Sequence, residues 1–284
     1  MVRVHHIHRF FLLLLFFISI FFSYLLYLRY EDRYLRVYFL DIGQGDAIYI
    51  RAPGGHDMLV DGGPGPIVIR RLSEVMPFYD RSIDVVIETH PDADHIGGLP
   101  SVMKRFHVGL FMEPGVESGN AIDDEIRRVR DEEKIDHVLA RRGMRVDIGG
   151  GASFDILYPN RDVSHLETNT ASIVGQVHYG STTVMLTGDS PKVVETALVR
   201  FYGNMLKSDV LKAGHHGSHT SSGEEYVRTV SPKYAVISAG LNNRYGHPHK
   251  EVVDLFNTLN IPMLRTYELG TIEFLSDGQT IVPK

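Results

Sequence analysis

A chain of 284 residues with 43% hydrophobic content is long enough to bury the core of one or two domains. Its net charge of −6 excludes the global basic field of a non-specific nucleic-acid binder. Cysteine is absent, which excludes disulfides, a disulfide-linked partner, zinc–thiolate centres and a cysteine nucleophile, so any metal must be held by nitrogen and oxygen.

The chain opens with "MVRVHHIHR" and then runs from Phe10 to Leu28 without a charge. Such a run can cross the roughly 30 Å hydrocarbon core of a bilayer as a single helix. Tyr24, Tyr27 and Tyr30 fit an aromatic belt at its far end, and no small-residue cleavage site follows, which favours an uncleaved anchor over a signal peptide. Arg3 and Arg9 precede the run, and Arg29, Arg33 and Arg36 follow it. The expected topology is single-pass, with residues 1–30 as anchor and the following domain on the exported side.

From Tyr34 the pattern changes to short apolar runs punctuated by glycine. "RVYFLDIG", "DAIYIRAP" and "HDMLVDGG" read as strands, and a helix is expected after "GPGP". "SIDVVIETH" is a strand that delivers His90, and "IGGLPSVMKRF" reads as a helix. Residues 120–142 carry Ile122, Ile126, Val129 and Ile135 at helical spacing, with charges of both signs between them, as on a solvated face. Strands are expected at "MRVDIG", "ASFDILYP", "TASIVGQVHYG" and "TTVMLTGD", then a helix from Pro191 to Tyr202. "SDVLKAGHHGS", a helix, "KYAVISAG", a helix from His249, and the strands "MLRTYE" and "GTIEFL" complete the chain. Strands followed by helices, twice over, predict an α/β fold in which two sheets lie face to face with helices outside. With no linker in sight, residues 31–284 form one αββα domain.

Four clusters follow apolar runs, where strand ends deliver side chains into loops. They are His90, Asp92, Asp94 and His95 in "THPDADH", Asp189 in "LTGD", His215 and His216 in "GHHGS", and His247 and His249 in "YGHPH". Two carboxylates in so short a loop repel each other unless a cation or hydrogen-bond donors compensate. Alternate residues of an extended loop point the same way, so His90 and Asp92 can reach one ion, and Asp94 and His95, turned from them, a second. His249 has a second reading as the residue that opens the helix "HKEVVDLF".

The order H-x-D-x-D-H, TGD, GHHGS resembles the metallo-β-lactamase superfamily, whose usual first motif is H-x-H-x-D-H. "FLDIGQGDAIYI", "LVDGG", "THPDADHIGGL", "LKAGHHGSHTSS" and "NNRYGHPHKEV" together resemble the soluble metallo-β-lactamase-like domain of the ComEC competence (DNA uptake) family, over residues 35 to 280. The multi-span channel of that family is replaced here by one hydrophobic segment. The resemblance implies His90 and Asp92 on one metal, Asp94 and His95 on the other, and Asp189 bridging them, with either His215 or His216 completing the second site. Where the superfamily has a further histidine, this chain has Asn169 and Ser172, so the first site has a weak third ligand or relies on water, and both residues are candidates to contact substrate. An oxygen-rich first site moves its preference from zinc toward manganese or magnesium, and the second suits zinc or manganese.

Two divalent ions ~3.5–4 Å apart serve phosphodiester hydrolysis. Asp94 is then the residue that orients the attacking water, and His247 the donor to a leaving or non-bridging oxygen. Lys207, Lys212, Arg244 and Lys250 are candidates to line a groove for single-stranded DNA. The expectation is a membrane-tethered nuclease of a competence-related kind, served by a separate DNA-uptake channel protein. The rivals are a hydrolase of another envelope substrate (a phosphocholine-type ester, a lactone or a lactam) and a non-catalytic binding module.

Overall fold

The computed structural model describes Arg9, residues 11–23 and residues 33–284. Residues 11–23 are helical with exposed side chains, and the rest of the expected Phe10–Leu28 span lies outside the described residues. Among the described residues no helix is long and apolar enough to cross a membrane.

The first half of the chain lays down three antiparallel strands, β1 (Leu35–Phe39), β2 (Ile48–Arg51) and β3 (Asp57–Val60). It then passes through α1 (Ile67–Val75) into β4 (Ser82–Ile87), parallel to β3. Helices α2 (Ala93–Ile96) and α3 (Leu99–Arg105) lead to β5 (His107–Glu113), and α4 (Ala121–Glu133) to β6 (Asp136–Leu139), both continuing the parallel run. The second half repeats the plan. β7 (Arg145–Gly149), β8 (Ala152–Tyr158), β9 (Val174–Tyr179) and β10 (Thr182–Leu186) are antiparallel. After α5 (Lys192–Tyr202) comes β11 (Val210–Lys212), after α6 (Glu224–Val230) β12 (Tyr234–Ile237), and after α7 (Lys250–Thr258) β13 (Met263–Arg265), all parallel to β10. A short α8 (Thr266–Leu269) returns the chain to the first sheet, where β14 (Ile272–Ser276) pairs with β1 and β15 (Ile281–Pro283) closes the edge.

The two sheets pack through Phe39, Ile50, Val60, Ile87, Phe154, Val177, Val184 and Phe274, among others. Strand periodicity explains why several strands read as unbroken apolar runs. Ile48 and Ile50 face the other sheet, while Tyr49 between them faces the helices; Val85 and Ile87 alternate with Val86 in the same way. Leu72, Val102 and Ile126 of α1, α3 and α4 cover the first sheet, and Leu198, Val227 and Phe256 of α5, α6 and α7 cover the second. The expected αββα sandwich is the architecture observed.

Local structure departs from the sequence expectation in two places. The helix expected over 120–142 stops at Glu133, because Lys134 turns left-handed (φ 55°), and residues 136–139 then pair with β5. Helical spacing alone could not see that strand, since its burial comes from a neighbour distant in sequence. The helix expected at "IGGLPSVMKRF" is split into α2 and α3. A Cβ on Gly98 would lie 2.1 Å from the Gly62 carbonyl oxygen, so only glycine lets these two backbones meet.

A candidate dinuclear metal centre

The C-terminal ends of β4, β10 and β11 meet at one end of the sandwich, and the histidine and aspartate clusters lie in the loops that follow them. His90 follows β4 and is fully buried. Asp92 is the residue before α2, and Asp94 and His95 occupy that helix's first turn. The helix is brought in close because Gly45 has no side chain: a Cβ there would sit 1.9 Å from the Asp94 carbonyl oxygen.

Asp189 follows β10. His215 and His216 follow β11, both with left-handed backbone (φ 49° and 54°). Non-glycine residues pay about 1–2 kcal/mol each for that conformation, so it persists only where the surroundings impose it. Here Glu195 of α5 accepts hydrogen bonds from the Ser222 and Gly223 N–H groups at 2.7 and 2.8 Å. Ser221 Oγ donates to the Ser190 carbonyl at 2.7 Å, and Gly214 N–H donates to Ser222 Oγ at 3.2 Å. These contacts fix the ends of the histidine loop against the helix that follows Asp189.

The four imidazoles share one arrangement. Each Nδ1 has an outer partner: Thr89 Oγ1 for His90 (3.0 Å), Asp61 Oδ2 for His95 (2.8 Å), Thr220 Oγ1 for His215 (3.1 Å) and the Ser238 carbonyl for His216 (2.9 Å). Each Nε2 faces Asp189 Oδ2, at 3.8, 3.3, 3.5 and 3.4 Å in the same order. Asp94 Oδ2 lies 3.3 Å from His216 Nε2, and Asp92 Oδ2 lies 3.8 Å from His90 Nε2. His90, His95, His216 and Asp189 form a buried floor; Asp92, Asp94 and His215 are partly exposed and form the mouth. Outer hydrogen bonds of this kind select the tautomer that aims Nε2 inward as a ligand.

Five carboxylates (Asp46, Asp61, Asp92, Asp94 and Asp189) lie in or around this floor, against one buried ammonium among the described residues, that of Lys212. Burial works against a charged imidazole, yet Asp189 and Asp61 hold His95 well above its ordinary pKa, and Asp189 and Asp46 do the same for His216. Burial followed by the charge on His95 pushes His90 down to about 3. A field that retains protons on two buried histidines is one that a divalent cation fills by displacing them.

The residues fit such an ion. His90 Nε2 and Asp189 Oδ1 are buried without a hydrogen-bond partner, and every donor is nitrogen or oxygen. Asp46, His95, Asp189 and His216 can each bring one ligand atom within 4.8 Å of the others. Asp46, however, lies behind the imidazoles. It approaches the Nδ1 atoms of His216 (3.4 Å) and His95 (4.0 Å) and is paired with Lys212, so it belongs to the outer support and not to the inner donors.

Several sequence expectations are revised. Lys212 lines no groove: it is 0% exposed, paired with Asp46 and 3.9 Å from Asp189 Oδ1. Lys207 sits before β11, at the end away from the histidines, and Lys250 is exposed and paired with Asp254 along α7. Ser172 is buried, and its Oγ accepts from the Asp189 N–H at 3.3 Å, so it positions the aspartate's backbone. Asn169 lies in a single 3-10 turn before Ser172, its Oδ1 buried without a partner. His247 does join the cluster, with ring centroids 5.4 Å from His215 and 6.2 Å from His216. Burial and these histidine neighbours push its pKa down to about 4. His249 precedes α7, as its second reading required, and its Nδ1 accepts from the His219 N–H at 3.0 Å.

Sequence reasoning missed Asp46, Asp61 and Asn243. Asn243 organises the histidine loop beyond β12, donating to the Gly240 and His247 carbonyls and accepting from the Tyr245 and His247 N–H groups. Next to it a cleft of about 450 Å³, lined by Gln44, Pro64, Asp94, Arg244 and Tyr245, leads to Asp94.

Fold and candidate metal site are those of a metallo-hydrolase superfamily, and residues 40–240 match the metallo-beta-lactamase superfamily, to which the chain belongs. The chain is 33% identical over 252 residues to ComE operon protein 3 of Bacillus subtilis (strain 168), covering 83% of this chain and 32% of that one. It is 31% identical over 239 residues to competence protein ComA of Neisseria gonorrhoeae, covering 82% and 31% respectively. The chain thus spans about a third of the length of these relatives. Among solved structures it resembles Igni18, a metallo hydrolase from Ignicoccus hospitalis KIN4/I, with TM-score 0.56 and 14% identity over 84% of this chain and 98% of that one.

Proposed function

We propose that this domain is a dinuclear metal-dependent phosphodiesterase acting on DNA, tethered to a membrane through Phe10–Leu28. The observation that carries the reading is the convergence of His90, His95, His215 and His216 on one oxygen of Asp189, with Asp92 and Asp94 beside them. That is more donors than one tetrahedral or octahedral ion uses. Asp94, His95 and His216 would hold one ion, His90 and Asp92 the other, and Asp189 would be shared. His215 faces the same aspartate oxygen and would supply the donor that Asn169 and Ser172 do not. Zinc or manganese suits the histidine-rich half, and manganese or magnesium the half with Asp92. Bound ions would supply Lewis-acid charge beside the phosphorus and acidify a water.

The chain's own residues do the rest. Asp94, at the mouth, orients the attacking water. His247, held by Asn243, offers a ring N–H to a substrate oxygen. Arg244 and Tyr245 line the cleft leading to Asp94, a guanidinium suited to phosphate beside a ring on which a base can stack. Similarity to competence proteins supports DNA over a small ester, and a DNA-uptake channel is the partner this reading proposes.

The test is hydrolysis by the full chain, stripped of metal and resupplied with manganese, zinc or magnesium. Labelled single-stranded DNA is assayed beside a chromogenic phosphodiester and a β-lactam, with Asp189→Ala as control. Metal-dependent DNA cleavage that the substitution abolishes is the expected result. Hydrolysis of the small ester without DNA cleavage would keep the centre and move the substrate to an envelope ester.

A further inference from the structure

The end of the sandwich opposite the metal centre is where the chain enters the fold. Strand register places Arg36 opposite Arg51, and Arg51 opposite Asp57, so the start of β1 shares that end with the start of β3. β4 runs parallel to β3 with Met58 opposite Val85, so its first residues, Ser82 and Ile83, extend a little beyond the start of β3 at that same end. The loop preceding β4 is drawn toward the entry point, since Arg51 Nη1 lies 3.5 Å from Asp80 Oδ2. The entering chain is itself held there, because Tyr179 Oη donates to the Arg33 carbonyl at 2.8 Å.

That loop carries Phe78 and Tyr79, 85% and 72% exposed, their rings edge to face with centroids 5.4 Å apart. Among the described residues from Arg33 onward, Phe78 is the most exposed of the large hydrophobic side chains. Three of the other turns at this end, Gly54–Gly55, Gly149–Gly151 and Asp277–Gly278, are made of small or polar residues, whereas the segment before β11 exposes Met205 (66%) and follows Phe201 (58%) at the end of α5. An aromatic pair standing in water beside the point where a long apolar segment joins the domain has the placement of interfacial anchors. Such rings put an apolar body into the acyl boundary and, for tyrosine, a hydroxyl among the headgroups.

We propose that Phe78 and Tyr79 seat the domain on the lipid surface beside its N-terminal segment, with the metal centre facing away from the bilayer. This rests on reading Phe10–Leu28 as the membrane segment. From Ser82 to His90 the chain climbs eight residues, which at a strand rise of ~3.3 Å is about 25 Å. A centre held that far above the headgroups meets a polymer in the aqueous phase and not an ester of a bilayer lipid, which strengthens the DNA reading over a lipid one.

The absence of cysteine makes the test direct. Phe78→Cys and Tyr79→Cys, each in the full chain, carry one solvatochromic label, and Leu241→Cys, 70% exposed in the loop after β12 at the metal end, serves as the comparison. The chains are reconstituted into phosphatidylethanolamine–phosphatidylglycerol vesicles containing a nitroxide-bearing lipid. Emission at 78 and 79 shifted to the blue, and quenched several-fold more than at 241, is the expected result. Equal, weak quenching at all three positions in chains that float with the vesicles overturns the proposal while leaving the membrane segment standing. Chains that do not float overturn the membrane segment and the seating with it. A blue shift at 78 that appears without lipid and grows with protein concentration assigns the pair to a second copy and also overturns it.

Discussion

Asp61 accepts the Nδ1–H of His95 at 2.8 Å, and the same Oδ2 atom accepts the Thr89 hydroxyl at 2.7 Å, which in turn meets His90 Nδ1 at 3.0 Å. One buried carboxylate thereby orients both histidines of the "THPDADH" motif. Outer partners of metal-bound histidines are typically worth about 10–100-fold in affinity. Asp61→Asn keeps the shape and tolerates the left-handed backbone at this position (φ 60°), but loses the charge. The expected result is a loss of metal affinity in that range, read by competition with a chelator, with the fold intact by circular dichroism.

Lys212 and Asp46 make the second testable pair. Removing one partner of a fully buried ion pair strands the other, at a cost of about 3–5 kcal/mol. Lys212→Met should destabilise the metal-free chain by up to that amount in denaturant titrations, since His216 still faces Asp46 at 3.4 Å. The double variant with Asp46→Asn should recover much of the loss, since an amide has no charge to strand.

Glu195 gives the chain a pH-dependent stability outside the metal centre. Burial raises its pKa from 4.5 to about 7, against the pull of the two backbone N–H groups it accepts. Between those values the folded state binds a proton that the unfolded chain has already lost. Stability from this group is therefore fully present below 4.5 and falls as pH rises toward 7. A tenfold change in acidity is worth about 1.4 kcal/mol, which makes the fall about 3 kcal/mol. Glu195→Gln should flatten unfolding free energy across this window, measured at a series of pH values on metal-free protein.

Tyr245 separates polymer from small substrates. A stacked base is worth about 1–3 kcal/mol by alanine substitution, so Tyr245→Ala should raise the KM for single-stranded DNA by about 5- to 150-fold. Hydrolysis of a chromogenic phosphodiester, which presents no strand to the cleft, should change little. Equal losses on both substrates would remove Tyr245 from strand binding.

The parts of the site that could be read from the sequence were those written as local runs. "THPDADH", "LTGD" and "GHHGS" announce themselves because several donors crowd into a few residues after a strand. Asp46 and Asp61 are single acidic residues beside glycines, in "GQGD" and "LVDGG", and nothing local separates them from turn residues; Asp46 finds Lys212 and His216 on the second sheet, and Asp61 finds His95 on α2 and Thr89 after β4. Lys212 departs from its sequence expectation for a related reason. A lysine beside motifs is normally a surface residue, and its burial depends on Asp46, far away along the chain. Likewise β6 follows a helix with helical spacing continuing into it, and its strand character comes from β5.

The centre is split between the layers of the sandwich. His90, Asp92, Asp94 and His95 hang from the first sheet, and Asp189, His215 and His216 from the second. Each sheet alone is a half-site, an open cluster with nothing to close it. Affinity for cations is therefore a property of the assembled interface, and whatever free energy an ion releases on binding is added to the grip of one sheet on the other. A chain whose layers part would release a bound ion, so occupancy of the centre would double as a report that the sandwich has closed.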